Sequence, residues 1–158
     1  MRLLKDGGID VHLDLAGIEG DGVGYLLEKI AALGIENEVR YLGSITREEK
    51  IRILREYEIY VQPSHFEGFG LATLEAMGCG ACVVVCDVGA VREVVGDCGV
   101  YVPPNSAEDL AHALKKVLHD GHLRQRLQDS GTRRARELFA FDKKVERLRA
   151  FLRDVGVH

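Results

Sequence analysis

The chain has 158 residues, 46% of them apolar and 29% charged, with a formal net charge of -4 and a sequence pI of about 5.9. That composition and size suit one globular domain with its own core and exclude a disordered or fibrous chain. The acidic balance argues against a general nucleic-acid binder, no apolar run approaches the roughly 18 residues of a membrane span, and residues 1–8 lack the apolar stretch of a secretion signal, so the cytosol is the expected location.

Residues 11–16 (VHLDLA) are β-like and stop at Gly17. Over residues 22–33, Leu26, Leu27, Ile30 and Leu33 recur on one helical face. A short strand over 39–42 ends at Gly43, and Ser44-Ile45-Thr46 leads into a helix over 47–56. Thr46 is its predicted N-cap, with Glu49 at the capping-box position. Residues 59–61 read as a strand closed by Pro63, and the turn Glu67-Gly68-Phe69-Gly70 opens a helix over 71–77. Residues 81–86 (ACVVVC) form a continuous apolar strand, the pattern of a strand covered on both faces. A strand over 99–102 stops at Pro103-Pro104, and helices are predicted over 107–120, 122–138 and 142–155. Strands alternating with helices predict βαβ units, hence an α/β fold with an open parallel sheet flanked by helices. We expect a single domain over 1–158, with C-terminal helices from about residue 107. Ligands bind such sheets beyond the carboxyl ends of the strands.

The four cysteines, Cys79, Cys82, Cys86 and Cys98, are expected as free thiols. Cys79-x-x-Cys82 has the spacing of a redox or metal half-motif, but it follows a predicted helix and enters a strand, whereas a redox pair opens a helix whose dipole lowers the thiol pKa. No second pair lies nearby at ligand spacing. Small buried hydrophobes are the expected role, and no metal is assigned.

The most informative stretch is PSHFEGFGLATLEAM, residues 63–77. It joins a strand end to a glycine turn and a helix start. Gly68 and Gly70 lack a Cβ, so a bulky ligand can approach their amides. The first helical N–H groups, near Gly70 to Thr73, have no intrahelical partner, and with the helix dipole they suit a phosphate. Glu67 precedes the turn and Glu75 lies four residues beyond Leu71, on a face it can share with the site. Such carboxylates can accept hydrogen bonds from sugar or ribose hydroxyls. The bland alternative for both is capping and a solvated first turn.

This string resembles the C-terminal, donor-binding domain of the group 1 (family 4) glycosyltransferases, retaining enzymes of the two-domain GT-B fold. Their Glu-x7-Glu signature is present as Glu67 and Glu75 within EGFGLATLEAMGCG. The likeness continues through VVVCDVGAVREVVGDCGVYVPPNSAEDLAHAL and, upstream, through VRYLGSITREEKIRILREYEIYVQPS. The fold implied is a Rossmann-like open parallel sheet, the C-terminal half of a GT-B fold. The resemblance implies that Glu67 contacts the transferred sugar as a positioning and electrostatic group. It implies that the backbone of Gly68, Phe69, Gly70 and Leu71 holds the sugar and distal phosphate, that Glu75 binds the ribose, and that Ile45 flanks the base. The donor implied is a UDP- or GDP-sugar, with no metal and no further cofactor. The acceptor is expected to lie with an N-terminal domain that this sequence lacks. The family's opening strand and its Arg/Lys diphosphate clamp are likewise not assignable, residues 1–5 (MRLLK) reading as the end of the helix that follows that loop. A separate N-terminal acceptor domain or self-association is therefore an expected partner. The family's work on glycoconjugates adds a peripheral location at the inner membrane face as an alternative. Cys82 stands where the family has Pro, and Tyr57-Glu58 where Ala-Asp is common. These read as core adjustments.

Two other functions compete with transfer. One is a non-catalytic nucleotide-sugar-binding or interaction module. The other is a hydrolase with Glu67 and Glu75 as acid and base, which requires a defined carboxyl separation that a turn and a helix do not ensure. His65, Lys50 and Glu93 are possible rim residues of the pocket, with ordinary surface roles as the alternative. His119 and His122 read as surface polar residues.

Overall fold

The computed structural model describes residues 1–17, 20, 22–140, 142 and 143. Among them the strands are β1 (Leu13–Ala16), β2 (Val39–Gly43), β3 (Ile59–Gln62), β4 (Cys82–Cys86) and β5 (Gly99–Val102). The helices are α1 (Arg2–Asp6), α2 (Gly22–Ala32), α3 (Arg47–Glu56), α4 (Leu71–Cys79), α5 (Val91–Val95), α6 (Ala107–His119) and α7 (Gly121–Phe139). Each agrees with a predicted element to within two residues, apart from α5, which was not predicted. The helix expected over 142–155 lies, beyond Lys143, outside the described residues.

Strand β4 is the centre of the fold, every residue of it buried. It runs parallel to β3, with Ile59 opposite Cys82, and to β5, with Val83 opposite Gly99. Its side chains alternate between two packed faces, as the pleat requires. Val83 and Val85 meet Ala76 and Met77 of α4, the valines of α5 and Ala135 of α7. Cys82, Val84 and Cys86 meet Val102 and the α6 residues Ala113 and Val117. Helices on both faces explain the unbroken apolar run. Each such buried valine contributes about 1.5–3 kcal/mol through removal from water. Cys82 and Cys86 thus serve as small hydrophobes, and burial pushes the Cys82 thiol up to about 11.

Strands β1 and β2 pair separately, also in parallel, with Leu13 opposite Val39. They close over a smaller core of Ile30, Ile35 and Val39. The expected sheet is therefore present in two parts: β1–β2 and β3–β4–β5 share no hydrogen bonds. Between β1 and β3 lies a cavity of about 720 Å³. The exposure of the strands reflects it, because β1 and β3 are only half-buried where β4 is sealed.

Helix α7 straps the larger unit together. Gln128 Nε2 donates to the Glu58 carbonyl ahead of β3 at 3.1 Å, and Thr132 Oγ1 donates to the Met77 carbonyl near the end of α4 at 3.1 Å. The Arg134 guanidinium donates to the Glu93 and Val94 carbonyls of α5 at 2.7 and 2.8 Å.

Candidate functional site

Helix α4 starts where β3 and its following loop end, and it starts without a side-chain cap. By contrast, α3, α6 and α7 are closed by Thr46, Ser106 and Asp120, whose side chains accept from Glu49, Asp109 and Leu123 N–H at 3.2, 3.1 and 2.8 Å. At α3 the capping box is complete, since the Thr46 N–H donates to Glu49 Oε2 at 2.8 Å. The N-cap of α4 is Gly70, in the left-handed region at φ 86°. It offers no side chain, and its conformation suits only a residue free of Cβ strain. The first backbone bond of the helix is Leu74 N–H to the Gly70 carbonyl, at 2.9 Å. The N–H groups of Leu71, Ala72 and Thr73 therefore precede any intrahelical acceptor and carry the positive end of the helix dipole. Thr73 is fully buried and its hydroxyl has no hydrogen-bond partner.

Two carboxylates flank this helix start. Glu67 turns back, and its Oε1 accepts the Gly70 N–H at 3.0 Å. Glu75, one turn into α4, accepts from Lys50 Nζ of α3 at 2.8 Å, both side chains more than a third exposed. Tyr60 of β3 lies near both: burial, then the charges of Glu67 and Glu75, push its phenol up to about 12. A phenol held neutral in this way is a donor, and it donates to Gln62 Oε1, whose amide in turn donates to Ser64 Oγ at 2.6 Å. This Tyr60–Gln62–Ser64 chain floors the loop that carries Glu67.

The loop is held from two further directions. The Glu67 carbonyl accepts the Ala90 N–H at 3.3 Å, and a Cβ on Gly89 (φ 54°) would fall on that carbonyl oxygen. The Phe69 ring stands edge-on to Phe139 at the end of α7, with centroids 6.0 Å apart. Above Gly68 there is open space, no atom lying within 4 Å of a Cβ built there. Phe66 and Leu71 present 80% and 59% of their surface beside it, an apolar lip around a polar turn.

The predicted site residues fall into two groups. Ile45 and Glu75 line the cavity between β1 and β3, together with Lys50, Tyr60, Gln62 and Ala72. Glu67, Gly68, Phe69, Gly70 and Leu71 form the turn at the start of α4, outside that lining. Sequence reasoning missed Tyr60 and Gly89. A tyrosine in a strand carries no local mark of the carboxylates it will meet, and Gly89 carries none of the Glu67 carbonyl that passes it. His65 and Glu93 are exposed. His119 Nδ1 lies 2.7 Å from the Lys115 carbonyl, and among the described residues no group of three or more His, Cys, Asp or Glu is placed to hold a metal ion. No described helix is long and apolar enough to cross a membrane.

Residues 1–134 match the family model described as glycosyl transferases group 1. An MMP alpha-(1->4)-mannosyltransferase of Mycolicibacterium hassiacum is 36% identical over 115 residues, covering 71% of this chain and 28% of that protein. A D-inositol 3-phosphate glycosyltransferase of Geodermatophilus obscurus is 38% identical over 125 residues, covering 77% of this chain and 27% of that protein. Among solved structures, a sucrose-phosphate synthase from Thermosynechococcus elongatus superposes with a TM-score of 0.82 at 27% identity, over 91% of this chain and 38% of that one. The chain thus spans little more than a quarter of the length of these two curated relatives. With the α4 turn, its flanking carboxylates and the parallel α/β architecture on which they stand, this match places the chain in the group 1 glycosyl transferases.

Proposed function

We propose that this chain is the donor-binding part of a retaining glycosyltransferase that takes a nucleotide-diphosphate sugar. The observation that carries the reading is the uncapped start of α4 between Glu67 and Glu75. An anion is the natural complement of the Leu71–Thr73 N–H groups, and the open space over Gly68 admits it. Glu75 then accepts from ribose hydroxyls, Ile45 flanks the base, and Glu67 accepts from the sugar. Lys50 balances the Glu75 charge and adds a cation near the nucleotide. Nothing in this arrangement calls for a metal. The names of the curated relatives, both glycosyl or mannosyl transferases, support the reaction class.

In the proposed step the acceptor oxygen bonds to the anomeric carbon on the face the diphosphate leaves. The bond from that carbon to the diphosphate oxygen breaks, and the departing diphosphate takes the acceptor proton. Here Glu67 orients the sugar and its negative charge stabilises the positive charge that builds at the anomeric carbon, while the α4 N–H groups stabilise the leaving group.

Titration calorimetry with UDP, GDP, ADP and their sugar conjugates tests the reading. Saturable binding of one base series, weakened in Glu75→Gln, is expected. Absence of binding by the folded chain overturns it. A second reading is binding without transfer. It is rejected if a separately expressed N-terminal half restores transfer.

A further inference from the structure

Tyr60 and Gln62 of β3, and Ser64 just past its end, follow one another at every second residue. That spacing puts them on one face of the pleat, the face on which Tyr60 packs against the core that holds Ala76 and Met77 of α4. This packing needs only the ring, so the core gives no reason for a hydroxyl there. The hydroxyl instead opens a directed chain: it donates to Gln62 Oε1, and Gln62 Nε2 donates to Ser64 Oγ at 2.6 Å. Each donor points toward the carboxyl end of β3, the edge at which such sheets bind ligands. Hydrogen bonds in series strengthen one another. Burial and the nearby Glu67 and Glu75 charges keep the phenol protonated, so its proton is always there to open the chain. Ser64 stands three residues before Glu67, and the two between, His65 and Phe66, are exposed. Beyond them Glu67 is held twice, its carbonyl by the Ala90 N–H at 3.3 Å and its Oε1 by the Gly70 N–H at 3.0 Å. The chain from Tyr60 supplies the hold on the upstream side of this turn.

We propose that Tyr60 is a positioning residue for the transferred sugar: through Gln62 and Ser64 it sets the place of the Glu67 turn, and so of the carboxylate that accepts from the sugar hydroxyls. This deepens the donor reading and rests on it for the identity of the ligand. The effect is confined to the sugar end. Ile45, Lys50 and Glu75, which meet the nucleotide in that reading, stand ahead of α3, on α3 and on α4, outside the segment that the chain holds. The phenol gives its one proton to Gln62, so Glu75 holds Lys50 without it. Loss of the Tyr60 hydroxyl therefore loosens the sugar contacts and leaves the nucleotide contacts in place.

Tyr60→Phe and Gln62→Leu keep the side-chain bulk and break the chain. In the ligand-free 158-residue protein, amide hydrogen exchange followed by NMR is expected to be about tenfold faster at Gly70 and Ala90 in both variants, with β4 amides within about twofold of the parent. Unchanged exchange at Gly70 and Ala90, or an equal acceleration throughout the fold, overturns the proposal. Calorimetry then compares UDP with UDP-glucose and GDP with GDP-mannose. In the series that binds, each variant is expected to hold the diphosphate within about twofold of the parent and the sugar conjugate about fivefold more weakly. The double variant should be no worse than either single one, because one chain is cut either way. Equal losses for diphosphate and conjugate, or none for the conjugate, make Tyr60 a merely structural residue and overturn its role toward the sugar. Failure of the parent to bind either series overturns the donor reading instead, and the exchange at Gly70 and Ala90 still decides whether Tyr60 sets the turn.

Discussion

The Tyr57 hydroxyl donates a 2.5 Å hydrogen bond to Asp14 Oδ2. Asp14 lies on β1 and Tyr57 closes α3 just ahead of β3, so this bond links the two sheets across the cleft that no backbone pairing spans. Arg40 of β2 holds the same carboxylate through two bonds, at 3.0 and 2.6 Å.

Tyr57→Phe keeps the ring and removes the link. A hydrogen bond to a charged group contributes roughly 1.5–3 kcal/mol, and a loss of that size in the unfolding free energy, read by urea titration, is expected. The pH dependence has a defined sign. The Arg40 hydrogen bond, aided by Tyr57 and opposed by burial, holds the Asp14 carboxyl below its ordinary value. The stability it supplies is therefore complete above about pH 4 and is lost as pH falls through the lower folded value. Asp14→Asn is expected to be less stable than the parent at pH 7, with the difference shrinking toward pH 3. A constant difference across that range would show that the carboxylate charge is not the source.

Glu75 and Lys50 share one ion pair but not one role. Glu75→Gln is expected to weaken a nucleoside and its diphosphate alike, by about tenfold, or ~1.4 kcal/mol. Lys50→Met is expected to leave nucleoside binding within about twofold while weakening the diphosphate by about fivefold, a loss of charge–charge attraction. Calorimetry of uridine and guanosine against UDP and GDP separates the two roles. Parallel losses in both variants would make Lys50 only the partner of Glu75.

Two glycines of the site make opposite predictions. Gly89→Ala drives a methyl into the Glu67 carbonyl at a φ of 54°, where nothing but backbone can yield. A loss of at least ~2 kcal/mol in stability is expected. Gly68→Ala meets open space, so its stability should stay within about 0.5 kcal/mol of the parent while diphosphate affinity falls. Thermal melts read the first effect and calorimetry the second. If Gly68→Ala binds as well as the parent, no ligand passes over that turn.

The buried, unpartnered Thr73 hydroxyl offers a signed test as well. Thr73→Val removes an unsatisfied polar atom and keeps the shape, so the free chain should gain about 1 kcal/mol. If the hydroxyl takes part in anion binding, the same variant loses phosphate affinity. A destabilised Thr73→Val would mean that the hydroxyl has a partner in solution.

How much was legible depended on how local each feature is. The α3 start was plain because Thr46 and Glu49 satisfy each other within one turn. Strand β4 was plain because burial on both faces leaves an uninterrupted apolar run. Helix α5 was not, since VREVV is too short to show a period and folds by placing Val91, Val94 and Val95 against Val83 and Val85. Sheet division was illegible for a different reason. Leu13, Leu15, Ile59 and Val61 carry the same pattern whether a strand has one neighbour or two. The Glu67–Gly70 turn showed in its glycines, but its supports, Gly89 and Phe139, come from far along the chain.

Those distant supports have a consequence for the order in which the molecule is made. The turn that carries Glu67 leaves the ribosome well before Phe139, Arg134 and Thr132 of α7, which brace Phe69, α5 and the end of α4. A nascent chain that ends short of Phe139 holds every residue of the turn without the strap that fixes it. The Glu67–Gly70 turn is thus fixed only after α7 has been made, although its own residues are synthesised well before.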